Sequence, residues 1–474
     1  MTSRQTACTT QLLCAALLSF FVAGCASLSS DGGFTAVEQL TREKTGADVK
    51  WQRTEDGRDS IAARVSELLS KPISADDAVQ IALLNNRGLQ ADFADLGIAE
   101  ADMVSASRLP NPGFSFIRTT RGDEIEIERG LHFNVIRMLT LPFAAKIEAE
   151  RYELAKGNAA VAAIRLASET RKAFFHAVAA EETVRYLRKV RDVAEASAEL
   201  ARRMASVGNW SRLQQAREQG FYADAALNLA RAEQARLRSR EALTRLLGLW
   251  GPQAAYGLPE RLPDLPKAPQ DRPDIEQRAM QSRLDVLGAR HSAESLAANL
   301  GLSQATRFIN VLEAGVTRET SNEAPVRRGY EISLELPLFD WGSSKLAKAE
   351  ALYMQAVNRT AETAINARSE VRESYLDYRA AYDIARHYRD EVVPIRKRIA
   401  DENLLRYNGM LIGVFELLSD ARSQIASVNS YIESLRDFWL AESDLQMAMI
   451  GRPSAGTMAA GARATIAAEA GGGH

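Results

Sequence analysis

Two tracts of about 65 residues, one from about Phe143 to Val207 and one from about Ser343 to Asn408, carry helix-forming patterns with almost no proline. At ~1.5 Å per residue each would span roughly 100 Å as helix, well beyond an ordinary globular helix. Each begins after a Leu-Pro step, Leu141-Pro142-Phe143 in one case and Leu336-Pro337-Leu338-Phe339 in the other. Each then breaks at a glycine, Gly208 or Gly409, and a second helical arm follows. A chain with this pattern must build a long helical hairpin twice.

The stretches between the tracts fit the same plan. Ser74-Ala75-Asp76-Asp77 is a helix start, with Ser74 as N-cap and a carboxylate at the third helical position. That helix should run to about Arg108 and stop at Leu109-Pro110-Asn111-Pro112, where two prolines forbid continuation. Phe114 and Phe116, then Phe133 and Val135, alternate with other residues on either side of a polar loop at Gly122, which predicts two strands. In the first long tract Ile147, Leu154 and Val161 recur every seven residues, the spacing of a helix-packing seam. Val207-Gly208-Asn209-Trp210-Ser211 makes the turn, with Gly208 and Asn209 tolerating left-handed backbone and Ser211 capping the next helix, which runs to about Gly248.

Six prolines between Pro252 and Pro273 mark a linker between two halves. Beyond it a helix is expected from about Ile275 to Ala305, then strand-like runs from Phe308 to Arg318 and from Tyr330 to Leu336. In the last, Tyr330, Ile332, Leu334 and Leu336 share one face against Glu331, Ser333 and Glu335. Lipid outside and water inside a barrel would suit this strand; taken alone, a half-buried strand of a soluble sheet is the favoured reading. Val371, Tyr375, Tyr378 and Tyr382 form a seam in the second long tract, and Pro394 predicts a bend near Val393. Leu418, Ala421, Ile425, Val428, Ile432, Leu435 and Trp439 give the final arm the best heptad run, which stops at Ile450-Gly451-Arg452-Pro453. Pro142 to Pro337, Gly208 to Gly409 and Gly248 to Gly451 are separated by 195, 201 and 203 residues. Such constant offsets indicate a tandem duplication.

Charge is nearly balanced, with 59 Lys and Arg against 61 Asp and Glu, which argues against nucleic-acid binding. The five histidines offer no local ligand pair, and there is no Gly-rich phosphate loop, Ser/His/Asp spacing or zinc-protease motif. No catalytic residue, metal ligand or cofactor is expected. All three cysteines lie in the first 25 residues. The apolar run Leu12–Val22 is too short to span a membrane and suits a signal-peptide core. It leads into Val22-Ala23-Gly24-Cys25, which resembles a bacterial lipobox with Cys25 as the lipidated residue; an ordinary secretory signal with a chance cysteine is the alternative. The polar stretch from Ala26 to about Lys71 has no sustained periodicity and reads as an extended or partly disordered arm, with Trp51 making a packed contact. The Ala/Gly-rich tail after Pro453 reads as disordered.

Four segments carry a family resemblance: Ile73-Ser74-Ala75-Asp76-Asp77-Ala78-Val79-Gln80-Ile81-Ala82-Leu83, Arg108-Leu109-Pro110-Asn111-Pro112, Leu336-Pro337-Leu338-Phe339-Asp340-Trp341-Gly342 and Arg406-Tyr407-Asn408-Gly409. In this order, and duplicated, they resemble TolC-type outer-membrane efflux proteins, specifically the lipid-anchored branch serving resistance-nodulation-division pumps. The resemblance implies a mainly α fold with a small β part: duplicated long helical hairpins and four strands per chain. Three copies would form a twelve-stranded outer-membrane barrel continued by a helical periplasmic tunnel. It makes Tyr330, Ile332 and Leu334 lipid-facing. It divides the chain into a lipoprotein signal (1–24), a lipidated arm (25–72), a first repeat (73–251), a Pro-rich linker (252–273), a second repeat (274–451) and a tail (452–474).

The resemblance also implies a gate near the second tip, for which Arg406, Tyr407, Glu416 and Asp420 are the candidates. About one extra residue between Tyr407 and Ala421 leaves open which carboxylate takes the gate position, and both also fit solvated helix charges. Gly208, Asn209, Trp210 and Gly409 mark the tips where a periplasmic adaptor would dock. The function implied is passive exit for substrates delivered by an inner-membrane pump and an adaptor, with a lean towards heavy-metal ions. Drug efflux, type I secretion, and an adaptor lipoprotein with a single hairpin are the alternatives.

Overall fold

The computed structural model of the chain describes residues 27–453 apart from 307, 309, 310, 336 and 337, with the backbone alone at 414 and 415. Cys25, Leu336 and the tail from 454 lie outside the described residues. The chain forms two compact units, each drawing on both halves of the duplication.

Among the described residues, one unit comprises 27–37, Asp92–Ala159 and Val286–Ala364. It holds strands β1 (Gly113–Arg121), β2 (Glu124–Asn134), β3 (Leu312–Ser321) and β4 (Arg327–Leu334), paired antiparallel in the order β1-β2-β3-β4. The pairing of β2 with β3, from Glu126↔Ser321 to Asn134↔Glu313, joins the two halves of the sequence into one sheet. β3 begins at Leu312, later than the run predicted from Phe308. Val135 is helical, because Asn134 ends β2 and its side-chain oxygen accepts from the Arg137 N–H at 2.8 Å, an N-cap that starts the long helix α5 (Val135–Ser206). Pro142 therefore lies inside α5, eight residues in, and does not precede it as predicted.

The amino-terminal stretch is folded, contrary to its reading as an arm without periodicity. It forms α1 (Phe34–Thr45) and α2 (Glu55–Leu69), the latter capped by Thr54. Its signals were local: caps and a few apolar anchors, Phe34, Ile61, Val65 and Leu68, all buried. The Phe34 ring meets Phe93 edge-on at 4.9 Å. Arg53 lies over the Trp51 ring at 4.6 Å, which supplies the contact expected of Trp51.

The second unit comprises, among the described residues, Glu38–Ala91, Ala160–Asp285 and 365–453. Two helices predicted as continuous are each broken at one residue. α3 (Ala75–Asn85) and α4 (Arg87–Ala106) are separated by Asn86, at φ −68° and ψ 120°. α7 (Ile275–Ser282) and α8 (Leu284–Ala305) are separated by Arg283, at φ −70° and ψ 122°. Both breaks meet the end of a returning helix, where the last carbonyls lack partners. Asn86 Nδ2 donates to the Leu246 carbonyl, and Asn85 Nδ2 to those of Leu247 and Gly248, at the end of α6 (Arg212–Leu247). At the equivalent place in the second half Arg283 donates to the Ala448 carbonyl, Ser282 Oγ to Met449 and the Leu284 N–H to Ile450, at the end of α11 (Val414–Ala448). Arg283 is 1% exposed and also pairs with Asp285 and Glu370 at 2.6 Å each.

Pro394 is accommodated by a change of helix type. α9 (Ser343–His387) passes into a π-helical turn, Tyr388–Val392, and α10 (Val393–Asn408) restarts with the proline in its first turn. The chain stays helical through the junction, with Val392 at φ −64° and ψ −53°, and the wider π turn gives the proline ring room against the preceding carbonyls. The Pro-rich linker is a packed strap and not a loose connection. Tyr256, Leu262 and Leu265 are buried in it. Its carbonyls are met by Trp439 Nε1 (Pro263, 3.1 Å) and Tyr382 Oη (Lys267, 2.9 Å), and its Leu262 N–H donates to Glu182 at 2.9 Å. Burial pushes the Glu182 carboxyl above its ordinary range.

Arg283→Ala should leave Asp285 and Glu370 without their shared cation and strip a carbonyl of α11 of its partner. The expected cost is about 3 kcal/mol, measured as a lowered midpoint of denaturant unfolding.

Candidate functional site

In an antiparallel sheet, directly paired residues share a face, so the register sorts every strand residue. One face carries Phe114, Phe116, Leu131, Phe133, Val316, Tyr330, Ile332 and Leu334. All of them are exposed, Tyr330 at 83% and Ile332 at 65%. The other face carries Ser115, Thr119, His132 and Thr317 with six glutamates, Glu124, Glu126, Glu128, Glu313, Glu319 and Glu331, together with Ile117, Arg121 and Arg327. Glu128 stands directly opposite Glu319, a like-charge pair that costs stability and draws only partial relief from Arg327, 3.6 Å from Glu319. Towards the hairpin turns the apolar face carries its own like-charge row, Arg129 paired with Arg318 and Arg318 with Arg328. Arg129 lies 5.9 Å from the Phe116 ring centre.

His132 lies flat on the polar face because two of its neighbours are glycines. A Cβ on Gly130 would fall 2.7 Å from its Nε2, and one on Gly315 2.7 Å from its Nδ1. The ring nitrogens meet Ser115 Oγ at 2.9 Å and approach Glu331 at 3.9 Å, so a single side chain spans from β1 to β4. β1 and β4 each have one partner only, which leaves two open edges of backbone N–H and C=O groups. Among the described residues no helix is long and apolar enough to cross a membrane.

The two helical tips, both in the second unit, differ in how they turn. At the first, Gly208 takes φ +79°, and the N–H groups of Asn209 and Trp210 return to the Met204 carbonyl at 3.0 and 3.3 Å. Ser211 and Gln214 then form a capping box that starts α6. One turn before the tip Arg202 and Arg203 both donate to Glu199, holding its carboxyl down at about 2. At the second tip Gly409 has φ −79°, and the left-handed position falls to Met410 at φ +60°. The glycine there is not what turns the chain. Met410 and Leu411 stand 93% and 77% exposed.

Of the gate candidates, Arg406 donates to Glu402 on its own helix at 3.4 Å, and Asn403 Nδ2 donates to Asp420. Tyr407 is half-buried and Glu416 exposed. Within one chain the described residues therefore bring Asn403 to Asp420 and do not bring Arg406 to either carboxylate. A polar link that the sequence did not reveal lies deeper. Glu218, 1% exposed, accepts from Arg422 and from Ser197 Oγ, both at 2.8 Å, and Arg422 stacks 4.2 Å from the Phe221 ring centre. It ties α11 to the first hairpin beside the apolar cluster of Val190, Ala194 and Ala225. Its members lie 204 residues apart along the chain, so no local pattern marks them.

Residues 275–434 match the family model "Outer membrane efflux protein". A 289-residue stretch is 24% identical to the cobalt-zinc-cadmium resistance protein CzcC of Cupriavidus metallidurans, covering 59% of this chain and 66% of that protein. Among solved structures, a membrane protein from Pseudomonas aeruginosa superposes with a TM-score of 0.69 at 21% identity, over 79% of this chain and 92% of its own. The outer membrane protein VceC from Vibrio cholerae does so with a TM-score of 0.67 at 16% identity, over 85% and 98%. These structures share the fold.

At the tips, Gly208→Ala should cost about 1 kcal/mol through backbone strain alone, since a Cβ there meets nothing within 4 Å. Met410→Gly should gain a similar amount. Hydrogen exchange of the tip amides should quicken in the first variant and slow in the second.

Proposed function

We propose that this chain, which matches the outer membrane efflux protein family over residues 275–434, is the exit duct of a tripartite cation-efflux system. The observation that carries the proposal is the two-faced, open-edged sheet. Four strands with an exposed apolar face and unpaired edges are unstable alone in either water or lipid. Three copies joined edge to edge, β4 of one to β1 of the next, would give a closed barrel of twelve strands. The apolar face, with Tyr330, Ile332 and Leu334, would then meet lipid, and the glutamate face would line the water-filled bore.

The electrostatics favour positively charged cargo. Six glutamates per chain on the inner face outnumber its two arginines, Arg121 and Arg327, and repeat in three symmetric sets around one bore, a field that concentrates cations and excludes anions. The likeness to a cobalt-zinc-cadmium resistance protein supports divalent heavy-metal ions as that cargo. The duct performs no bond chemistry of its own. An inner-membrane pump of resistance-nodulation-division type would supply the energy. A periplasmic adaptor would dock at the tips around Gly208, Asn209, Trp210 and Gly409. Cys25 would carry the lipid anchor, and Arg406, Tyr407, Glu416 and Asp420 would gather around the threefold axis as the periplasmic gate. Asp420 is already held by Asn403, while Glu416 is exposed and free to face its symmetry mates.

In planar bilayers the detergent-extracted protein should conduct cations in preference to anions. Glu126→Gln, Glu128→Gln and Glu319→Gln together should lower the cation-to-anion permeability ratio several-fold, read from the reversal potential in a salt gradient. A ratio unchanged by the triple variant would sink the acidic-bore reading.

A further inference from the structure

Outside the sheet and the tips, one cluster brings a histidine between two carboxylates. Glu150 lies on α5, and His291 and Glu294 lie three residues apart on α8, so they project from neighbouring turns of one face. His291 Nδ1 is 3.1 Å from Glu150 Oε2 and 3.7 Å from Glu294 Oε2, and the three atoms lie within 4.8 Å of one another. Ligand atoms ~2.0–2.2 Å from a tetrahedral zinc ion lie roughly 3.4 Å apart, so these separations leave room for an ion with little side-chain movement. The backbone beneath is held close. A Cβ on Gly288 would sit 3.4 Å from Leu154 Cδ1, and Thr360 Oγ1 on α9 donates to the Ala289 carbonyl at 3.2 Å. Glu150 and His291 are partly buried and Glu294 is open to solvent, which gives a cation two anchored ligands, one adjustable ligand and access for water.

We propose that Glu150, His291 and Glu294 form a divalent transition-metal site that clips α5 to α8. One imidazole nitrogen and two carboxylate oxygens suit borderline ions such as Zn²⁺ or Co²⁺, with water completing the shell; with no thiolate in the set, softer ions gain less. Local sequence patterns miss the site because Glu150 is 141 residues from His291. The proposal is independent of the cargo carried by the duct, since it needs only the packing of α5 on α8.

The competing account is a protonated imidazole held between two carboxylates, with no metal affinity. Full-length protein in detergent, purified on a histidine-free tag and stripped with chelator, would be titrated with Zn²⁺ by calorimetry and with Co²⁺ by visible absorption at pH 7.5. One saturable site per chain is expected, together with a Zn²⁺-dependent rise in melting temperature. His291→Ala and Glu294→Gln should each weaken binding at least tenfold. His291→Lys keeps the ion pairs and should abolish both the Co²⁺ spectrum and the Zn²⁺-dependent melting shift. Circular dichroism and size-exclusion profiles would confirm that each variant is folded; Glu294 is solvent-exposed, so its variant keeps the test decisive if replacement of His291 unfolds the chain. Absence of saturable binding to the wild type, or binding unchanged in folded Glu294→Gln and His291→Lys, would overturn the proposal in favour of the imidazolium ion pair.

Discussion

The backbone hydrogen-bonding demand of the open sheet edges is the constraint on which the rest depends. β1 and β4 each present an unpaired row of N–H and C=O groups, and the face between them is lined by exposed Phe, Tyr, Ile and Leu side chains. In hydrocarbon an unsatisfied backbone group costs several kcal/mol, and in water such an edge invites aggregation. Closure with further copies answers both demands. The proposed trimer, its lipid-facing band and its acidic bore are consequences of that closure.

The helical part answers a smaller version of the same demand twice, with different chemistry. At the end of α6 the orphan carbonyls are met by two asparagine amides at the break between α3 and α4. At the end of α11 they are met by a buried arginine, a serine hydroxyl and a backbone N–H at the break between α7 and α8. The two breaks share nearly identical backbone angles, so the duplication preserved a backbone solution while the side chains diverged. An arginine in that role brings a charge into the interior, and Asp285 and Glu370 compensate it.

The long hairpins, the seams, the Ser211 cap and the strand pairs were legible because each is written in local periodicity or capping chemistry. The breaks at Asn86 and Arg283 were not, because their cause lies about 160 residues away, in the carbonyls of a returning helix. Val135 was assigned to a strand by alternation, although Asn134 already carried the capping signal that starts α5. Pro394 predicts a bend near Val393; what the chain shows there is a π turn N-terminal to the proline. The second tip was credited to Gly409, whereas Met410 takes the left-handed conformation, at a cost that the sequence alone does not reveal. The Glu218–Arg422 pair and the Glu150–His291–Glu294 cluster are tertiary by nature and leave no trace in local spacing.

The two-faced wall is tested most directly by accessibility along β4. Spin labels placed one at a time from Gly329 to Leu334, in full-length protein reconstituted into lipid, would be probed with oxygen and with a water-soluble nickel chelate. Alternation is predicted: high oxygen accessibility at residues 330, 332 and 334, and high chelate accessibility at 329, 331 and 333. Chelate accessibility uniform along the strand, or the opposite alternation, would contradict the account.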